Sequence, residues 1–447
     1  MTRLLPILLV LALWTPAAGE PLKLDLFGAL TMAMENSPIL KEYRSRVREA
    51  GYAVDEAFVP AFPTVGFTGT YTRIHPEVSF PGSGGRVTIS PADNYNLGLT
   101  LRQTIYSFGR LRWGTEAAEL NRKAVEQDYR RELERLMLDA SLAYGQVLLA
   151  ERGVDIATEN LKARELQLRD AEVLFEAGKV ARFDVLQGQA DLSAARQASL
   201  VATNELNLAR ARLLSLLGEP TDRPLELTPF DMTRAPEADL LQGRQRALEQ
   251  RPELVALNFA VDAAQARANY QAAQDNPNLS LQSVAAKRNV TGFAAGETVT
   301  TALTLEIPLF DGGLSAAREA QALEVMQQLT QSREQTRRTV LLEVEQAYLD
   351  LRSACDQMAV ARQTVEQASE ANRVANVRYK AGVSTSLELQ NSIAALSQAR
   401  LGLARAEFDH WSAVCRWYRA VSGEYPVPIP ASVKLEPDIE IVPEEKP

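Results

Sequence analysis

Asn94-Tyr95-Asn96-Leu97-Gly98-Leu99-Thr100-Leu101-Arg102 places large apolar side chains on every second residue, with small or polar ones between. Alternation of period two makes a strand with one apolar and one polar face. Shortly after it, Leu111 to Ala177 contains no proline and three glycines, Gly114, Gly145 and Gly153. If helical throughout, those 67 residues span roughly 100 Å at 1.5 Å per residue. That is several times the width of an ordinary domain, so a strand running into such a helix points to an elongated molecule.

The same pattern occurs elsewhere. Val65, Phe67, Gly69 and Tyr71 alternate with Thr64, Gly66, Thr68, Thr70 and Thr72; Leu279 and Leu281 alternate with Asn278, Ser280 and Gln282; Val299, Thr301, Leu303, Leu305 and Ile307 alternate with Thr300, Ala302, Thr304 and Glu306. Strands are predicted at about 62–74, 94–106, 278–286 and 298–308. Ala143-Tyr144 recurs as Ala347-Tyr348, Gly109 as Gly313, Phe175-Glu176-Ala177-Gly178 as Tyr379-Lys380-Ala381-Gly382, and Asp184-Val185 as Glu388-Leu389, all 204 positions on. Pro38 pairs with Pro252 and Pro63 with Pro277 at 214, so the first copy carries ten extra residues, placed in the Gly/Pro/Ser-rich segment from His75 to Pro91, a loop tip that tolerates insertion. Each copy reads helix, strand, strand, very long helix, helix: 20–218 with a helix hairpin at 111–217, and 244–423 with one at 314–421. The Pro-rich stretches 219–243 and 424–447 read as irregular.

Composition narrows the class. Aromatics are 6% of the 447 residues, and the net charge of −9 is spread along the chain with no basic patch for nucleic acid. Arg3, the apolar run Leu4 to Trp14 and the small residues Ala17-Ala18-Gly19 predict a secretory signal peptide over 1–19. No Cys follows that cleavage site, so no lipoprotein anchor is expected, and no later run of about 18 apolar residues offers a transmembrane helix. Two cysteines, Cys355 and Cys415, and two histidines, His75 and His410, make no metal-ligand spacing.

The strands match the length needed to cross a bilayer at a tilt. Unpaired backbone groups cost several kcal/mol each in hydrocarbon, so an open sheet edge is excluded there. Four strands cannot close a barrel, and eight side-chain-filled strands would not conduct, so three or more subunits sharing one barrel are expected. In the helices, Leu133, Leu136, Met137, Ala140, Ala143, Tyr144 and Val147 recur at spacings of three and four, the packed face of a coiled coil. The fold class is therefore mainly α with a membrane β part.

The strand-to-helix junctions Gln103-Thr104-Ile105-Tyr106-Ser107-Phe108-Gly109-Arg110 and Ile307-Pro308-Leu309-Phe310-Asp311-Gly312-Gly313 resemble the recurring motif of the TolC family of outer-membrane export ducts. The hairpin turns from Phe175 to Val185 and from Tyr379 to Leu389 are similar to that family's periplasmic tips. The resemblance covers essentially the whole mature chain. It implies a homotrimer with a twelve-stranded barrel in the outer-membrane lipid, a twelve-helix periplasmic tube, and an equatorial linker at 219–243. It also implies docking onto a periplasmic adaptor coupled to an inner-membrane pump of RND, ABC or MFS type, with no cofactor. By the same resemblance Ala177, Gly178, Lys179, Ala381, Gly382 and Val383 form the docking tips. Asp184, Tyr379, Glu388 and Asn391 occupy positions of the family's periplasmic gate. Ser384 stands where relatives carry a basic clamp residue and Asn391 where they carry a second acid, so a ring of three carboxylates per trimer is implied rather than six.

Cys355 lies 27 residues before Gly382 and Cys415 lies 33 after it, on facing helices about one turn apart. A disulfide would need strict geometry, and two buried thiols are expected. A structural periplasmic coiled coil that conducts nothing would carry charges on the apolar strand faces; none are expected there, since Arg102 and Glu306 fall on the polar face. No nucleophile elbow, phosphate loop or metal constellation supports an enzyme.

Overall fold

The computed structural model describes residues 21–422 except 83, 91, 235 and 290–295. The signal peptide and the tail at 424–447 lie outside the described residues. In chain order the elements are β1 (Leu22–Leu24), α1 (Leu26–Asn36), α2 (Pro38–Phe58), β2 (Thr64–Arg73), β3 (Val78–Gly82), β4 (Gly85–Ser90), β5 (Asp93–Tyr106), α3 (Arg110–Glu176), α4 (Arg182–Leu217), β6 (Leu225–Leu227), α5 (Leu240–Gln250), α6 (Pro252–Ala272), β7 (Asn278–Arg288), β8 (Glu297–Glu306), α7 (Leu314–Lys380) and α8 (Ser386–Ala420). α3 and α7 each run 67 residues without a break.

β2, β5, β7 and β8 form one antiparallel sheet in that order. The register sets Val65, Phe67 and Tyr71 opposite Leu101, Leu99 and Tyr95, and Leu279, Leu281 and Ala285 opposite Leu305, Leu303 and Val299. One face is thus predominantly apolar, and none of the described residues covers it: Phe67, Leu99, Val299 and Leu303 are all exposed. The other face carries Thr64, Thr68, Thr70, Asn96, Thr100, Gln282, Thr300 and Thr304.

Two readings of this region need correction. The segment after His75 is not a plain loop: β3 and β4 pair antiparallel there. The apolar face is also not free of charge. Arg73, inside the expected first strand, stands opposite Asp93 on the same face as Phe67 and Tyr71, 3.8 Å away; β7 and β8 extend past their expected ends, and the register puts Lys287 opposite Glu297 on the same face as Leu281 and Leu303, joined at 2.6 Å. Both pairs lie at the strand ends farthest from the helices, where a charge pair can reach water.

At the opposite end the sheet runs into the helices through aromatic residues. Phe58 and Phe62 meet edge to face at 5.5 Å, as do Tyr106 and Phe108 at 4.6 Å. Gly109 and Gly313 take positive φ at the starts of α3 and α7.

The core is a seam between helices. Around α3, Tyr129, Leu133, Met137, Tyr144 and Val147 pack with Leu30 and Met34 of α1, Leu213 and Leu217 of α4, and Trp411 of α8. A second cluster joins Val340, Val344 and Leu351 of α7 to Val414 and Trp417 of α8 and Ala247 of α5. α8 approaches α3 so closely that a Cβ on Gly145 would stand 3.0 Å from the Trp411 ring. The stretch 219–243, read as irregular, contains β6, which pairs parallel with β1, and the start of α5. The Tyr144 hydroxyl lies 3.0 Å from the Leu24 carbonyl and 2.7 Å from that of Thr228, tying this small sheet to α3. Arg251, between α5 and α6, is buried and ion-paired with Glu253 and with Glu343 of α7. Neither cysteine is bridged: Cys415 is buried beside α3, while Cys355 is half-buried among the α7 residues.

Candidate gating and docking tips

The long helices end in the same way for the same reason. A helix leaves its last carbonyls without partners, and a residue at positive φ lets the chain turn back to cap them. Gly178 has φ +71° and Gly382 φ +74°. Gly178 N–H donates to Phe175 O at 2.9 Å and Lys179 N–H to Leu174 O at 2.8 Å; Gly382 N–H donates to Tyr379 O at 2.9 Å and Val383 N–H to Arg378 O at 3.0 Å. Both turns are Schellman caps, and a side chain at either glycine would be strained whatever space surrounds it. Ala177, Lys179, Ala381 and Val383 surround these turns at the exposed extremity of the helices.

The return helices are started by side chains. Asp184 Oδ2 accepts from the Ala181 N–H at 3.2 Å, and Thr385 Oγ1 accepts from the Glu388 N–H at 3.3 Å. Ser384 Oγ donates to Glu388 Oε2. An N-terminal carboxylate also meets the positive end of the helix dipole.

Among the described residues no two of the four expected gate residues bond to each other; Asp184 is instead held by a fifth residue. Ser386 Oγ donates to Asp184 Oδ1 at 2.7 Å, linking α8 to α4. Tyr379 is buried against Leu389, Ile393, Leu174 and Ala375. Its hydroxyl has no hydrogen-bond partner among the described residues. Burial pushes its pKa up, and the charges of Asp184 and Asp170 push it further. Asp184 is therefore not hydrogen-bonded to Tyr379. Glu388 and Asn391 are exposed, with Glu388 occupied by its own helix start.

Sequence reasoning missed Ser386, a small residue in an unremarkable helix start, and Arg164. The Arg164 side chain is nearly enclosed, 3.6 Å from Asp191 of α4, and it donates to Gln167 Oε1 at 3.1 Å and to the Gln390 carbonyl of α8 at 3.4 Å. Its partners are remote in sequence, so no local motif marks it. Apolar side chains are exposed at matching points of both hairpins: Val173 and Phe183 on the first, Val377 and Leu387 on the second, each pair 204 residues apart.

With this geometry in hand, likeness to known proteins is informative. A family model described as outer membrane efflux protein matches residues 29–219 and 243–420. The alkaline protease secretion protein AprF of Pseudomonas aeruginosa is 27% identical over 335 residues, 72% of this chain and 69% of its own. Outer membrane protein TolC of Vibrio cholerae is 22% identical over 433 residues, 94% of this chain and 95% of its own. Among solved structures, the outer-membrane channel OprN aligns with a TM-score of 0.76 at 23% identity over 90% of each chain. The channel CusC aligns with a TM-score of 0.77 at 21% identity over 92% of this chain and 96% of its own. The structural likenesses establish the fold, and the family model covers both halves of the chain, including both hairpins. The chain belongs to the outer membrane efflux protein family, exit ducts of efflux and type I secretion systems that sit in the outer membrane and extend into the periplasm.

Proposed function

We propose that three copies of this chain assemble into one duct: a shared twelve-stranded barrel in the outer membrane, continued by a periplasmic tube of helices, through which cargo passes passively from an adaptor and an inner-membrane pump. The observation that carries this reading is what lies at the edges of the protomer. Among the described residues β2 and β8 each have no strand paired on one side. In the helical part α4 packs on α3, and α7 on α8 and α6; toward the tips, where α3, α4, α7 and α8 run on alone, α4 and α7 are outermost. Both expose apolar residues along their length: Leu200, Val201 and Leu208 on α4, and Val325, Leu342, Leu349 and Val360 on α7. Edge groups in lipid cost several kcal/mol each when unpaired, and so much exposed apolar surface marks an interface. One edge differs from the other, so the contact is head to tail, and a head-to-tail contact that closes makes a ring. Three copies supply twelve strands, and the Thr- and Asn-bearing face then lines a wet lumen. The equal lengths of α3 and α7 support the view that the chain is an internal duplication.

The hairpin turns at Ala177-Gly178-Lys179 and Ala381-Gly382-Val383, with the exposed Val173, Phe183, Val377 and Leu387 beside them, are the proposed adaptor-docking surface. Asp184, Tyr379, Glu388 and Asn391 are the proposed gate, with one carboxylate per subunit, Glu388, in the ring. The test is the mature chain extracted in detergent: its mass should be that of a trimer, and it should conduct ions in a planar bilayer. A water-soluble monomer without conductance would overturn the reading.

A further inference from the structure

We propose that Arg164 is the positioning residue that holds the α3/α4 hairpin against α8 and so sets the resting aperture of the duct; this rests on the duct reading above. Near the tips the polar links between α8 and the α3/α4 hairpin are few. Ser386 to Asp184 is one, a hydroxyl on a carboxylate at the surface. Arg400 to Glu159 is another, higher up and between exposed side chains. Arg164 is different in kind. Its side chain is 11% exposed, and its guanidinium holds α8 through the Gln390 carbonyl while facing Asp191 of its own hairpin. A guanidinium has five N–H donors in a fixed fork, enough to serve α3, α4 and α8 at once.

The division of partners gives the link its character. A buried charge is costly to strand. Asp191 belongs to the same hairpin as Arg164, and its buried Oδ2 has no hydrogen-bond partner among the described residues. When α8 moves away, Arg164 loses a neutral carbonyl and keeps a carboxylate with unused capacity. The link to α8 is thus broken without leaving a bare charge in the helix interface. It restrains the tip yet lets it open.

The test is single-channel conductance of the full-length assembled protein in planar bilayers, with the SDS resistance of the assembly as a second readout. Arg164→Gln should raise resting conductance at least twofold, while Asp191→Asn should raise it less, because the guanidinium then lacks its carboxylate but keeps its bond to the Gln390 carbonyl of α8. General loosening of the helix interface would instead raise conductance equally in both variants. Arg405→Gln, at an exposed position of the same helix, serves as the control and should conduct as the unaltered protein does. Unchanged conductance in an assembled Arg164→Gln, or an equal rise in Asp191→Asn, would overturn the inference and leave the duct standing. Absence of conductance in the unaltered protein would overturn the duct reading itself.

Discussion

Ser386 Oγ and Asp184 Oδ1 lie 2.7 Å apart, joining the first turns of two helices whose residues are 202 positions apart in the chain. A hydrogen bond to a charged acceptor stabilises by about 1.5–3 kcal/mol, and exposure reduces that to about 1 kcal/mol here. Ser386→Ala should therefore shift the tip toward open forms by about fivefold, since about 1 kcal/mol is that factor at 25 °C. Asp184→Ala removes the helix-start bond to Ala181 as well and should do more. Single-channel recording checks both; equal, unaltered conductance would remove this pair from the gate.

In the proposed gate Tyr379 should act by packing rather than by its hydroxyl. The ring fills a pocket among Leu389, Ile393 and Leu174, and the hydroxyl has no partner among the described residues. Tyr379→Phe should leave resting conductance unaltered. Tyr379→Ala removes the ring and costs about 3–5 kcal/mol of local packing, so the tip should loosen and conductance rise. A rise already in the Phe variant would mean that the hydroxyl is engaged in the assembled tip.

How much of this was readable beforehand differs by region. Period-two alternation around Leu99 and Leu303 survives in the structure because side-chain direction in a strand depends on position alone. The uninterrupted helices α3 and α7 follow from the absence of proline. Lys287 and Glu297 escaped because a strand end is set by pairing, whereas Arg73 lay inside the expected strand and its period-two phase with Tyr71 already put it on the apolar face. The β1–β6 pair has three residues a strand, too short to show a period, and is fixed by Tyr144 from a distant helix. At the tip, Gly178 and Gly382 announce their turns, while Arg164 and Ser386 depend on contacts across the fold and leave no local trace.

The apolar face of the sheet should tolerate charge at its outer end and not at its middle. Lys287→Ala leaves Glu297 at the rim, where a lone charge costs about 0–1 kcal/mol. Leu303→Arg places a cation well inside the same face, at a cost of about 2–4 kcal/mol near a bilayer midplane. The yield of assembled protein in outer-membrane fractions should be nearly unaltered for the first and sharply lower for the second. Equal yields would argue that this face is not in lipid.

Glu134 provides a pH test of the helical body. It sits on α3 near the ion-paired cluster of Arg251, Glu253 and Glu343. Burial, then the charge of Glu253, raise its pKa from 4.5 to about 7, against the opposing pull of Arg251, Arg419 and Arg130. Between those two values the folded state binds more protons at this site than the unfolded chain does. Stability therefore falls as pH rises through the window from about 4.5 to about 7 and stays lowered above it. Glu134→Gln removes the burden of a half-buried carboxylate, so its melting midpoint should exceed that of the unaltered protein by a few degrees at pH 8 and converge with it at pH 4.5. The two must be compared at one scan rate, because a large assembly unfolds irreversibly. Arg251→Met gives the opposite sign: it strands Glu253 and Glu343 beside a buried site, a loss of about 3–5 kcal/mol that grows as the carboxylates ionise. If Glu134→Gln melted lower than the unaltered protein at pH 8, the carboxylate would instead be a stabilising member of the cluster, paired with Arg251 or Arg419 rather than opposed by Glu253.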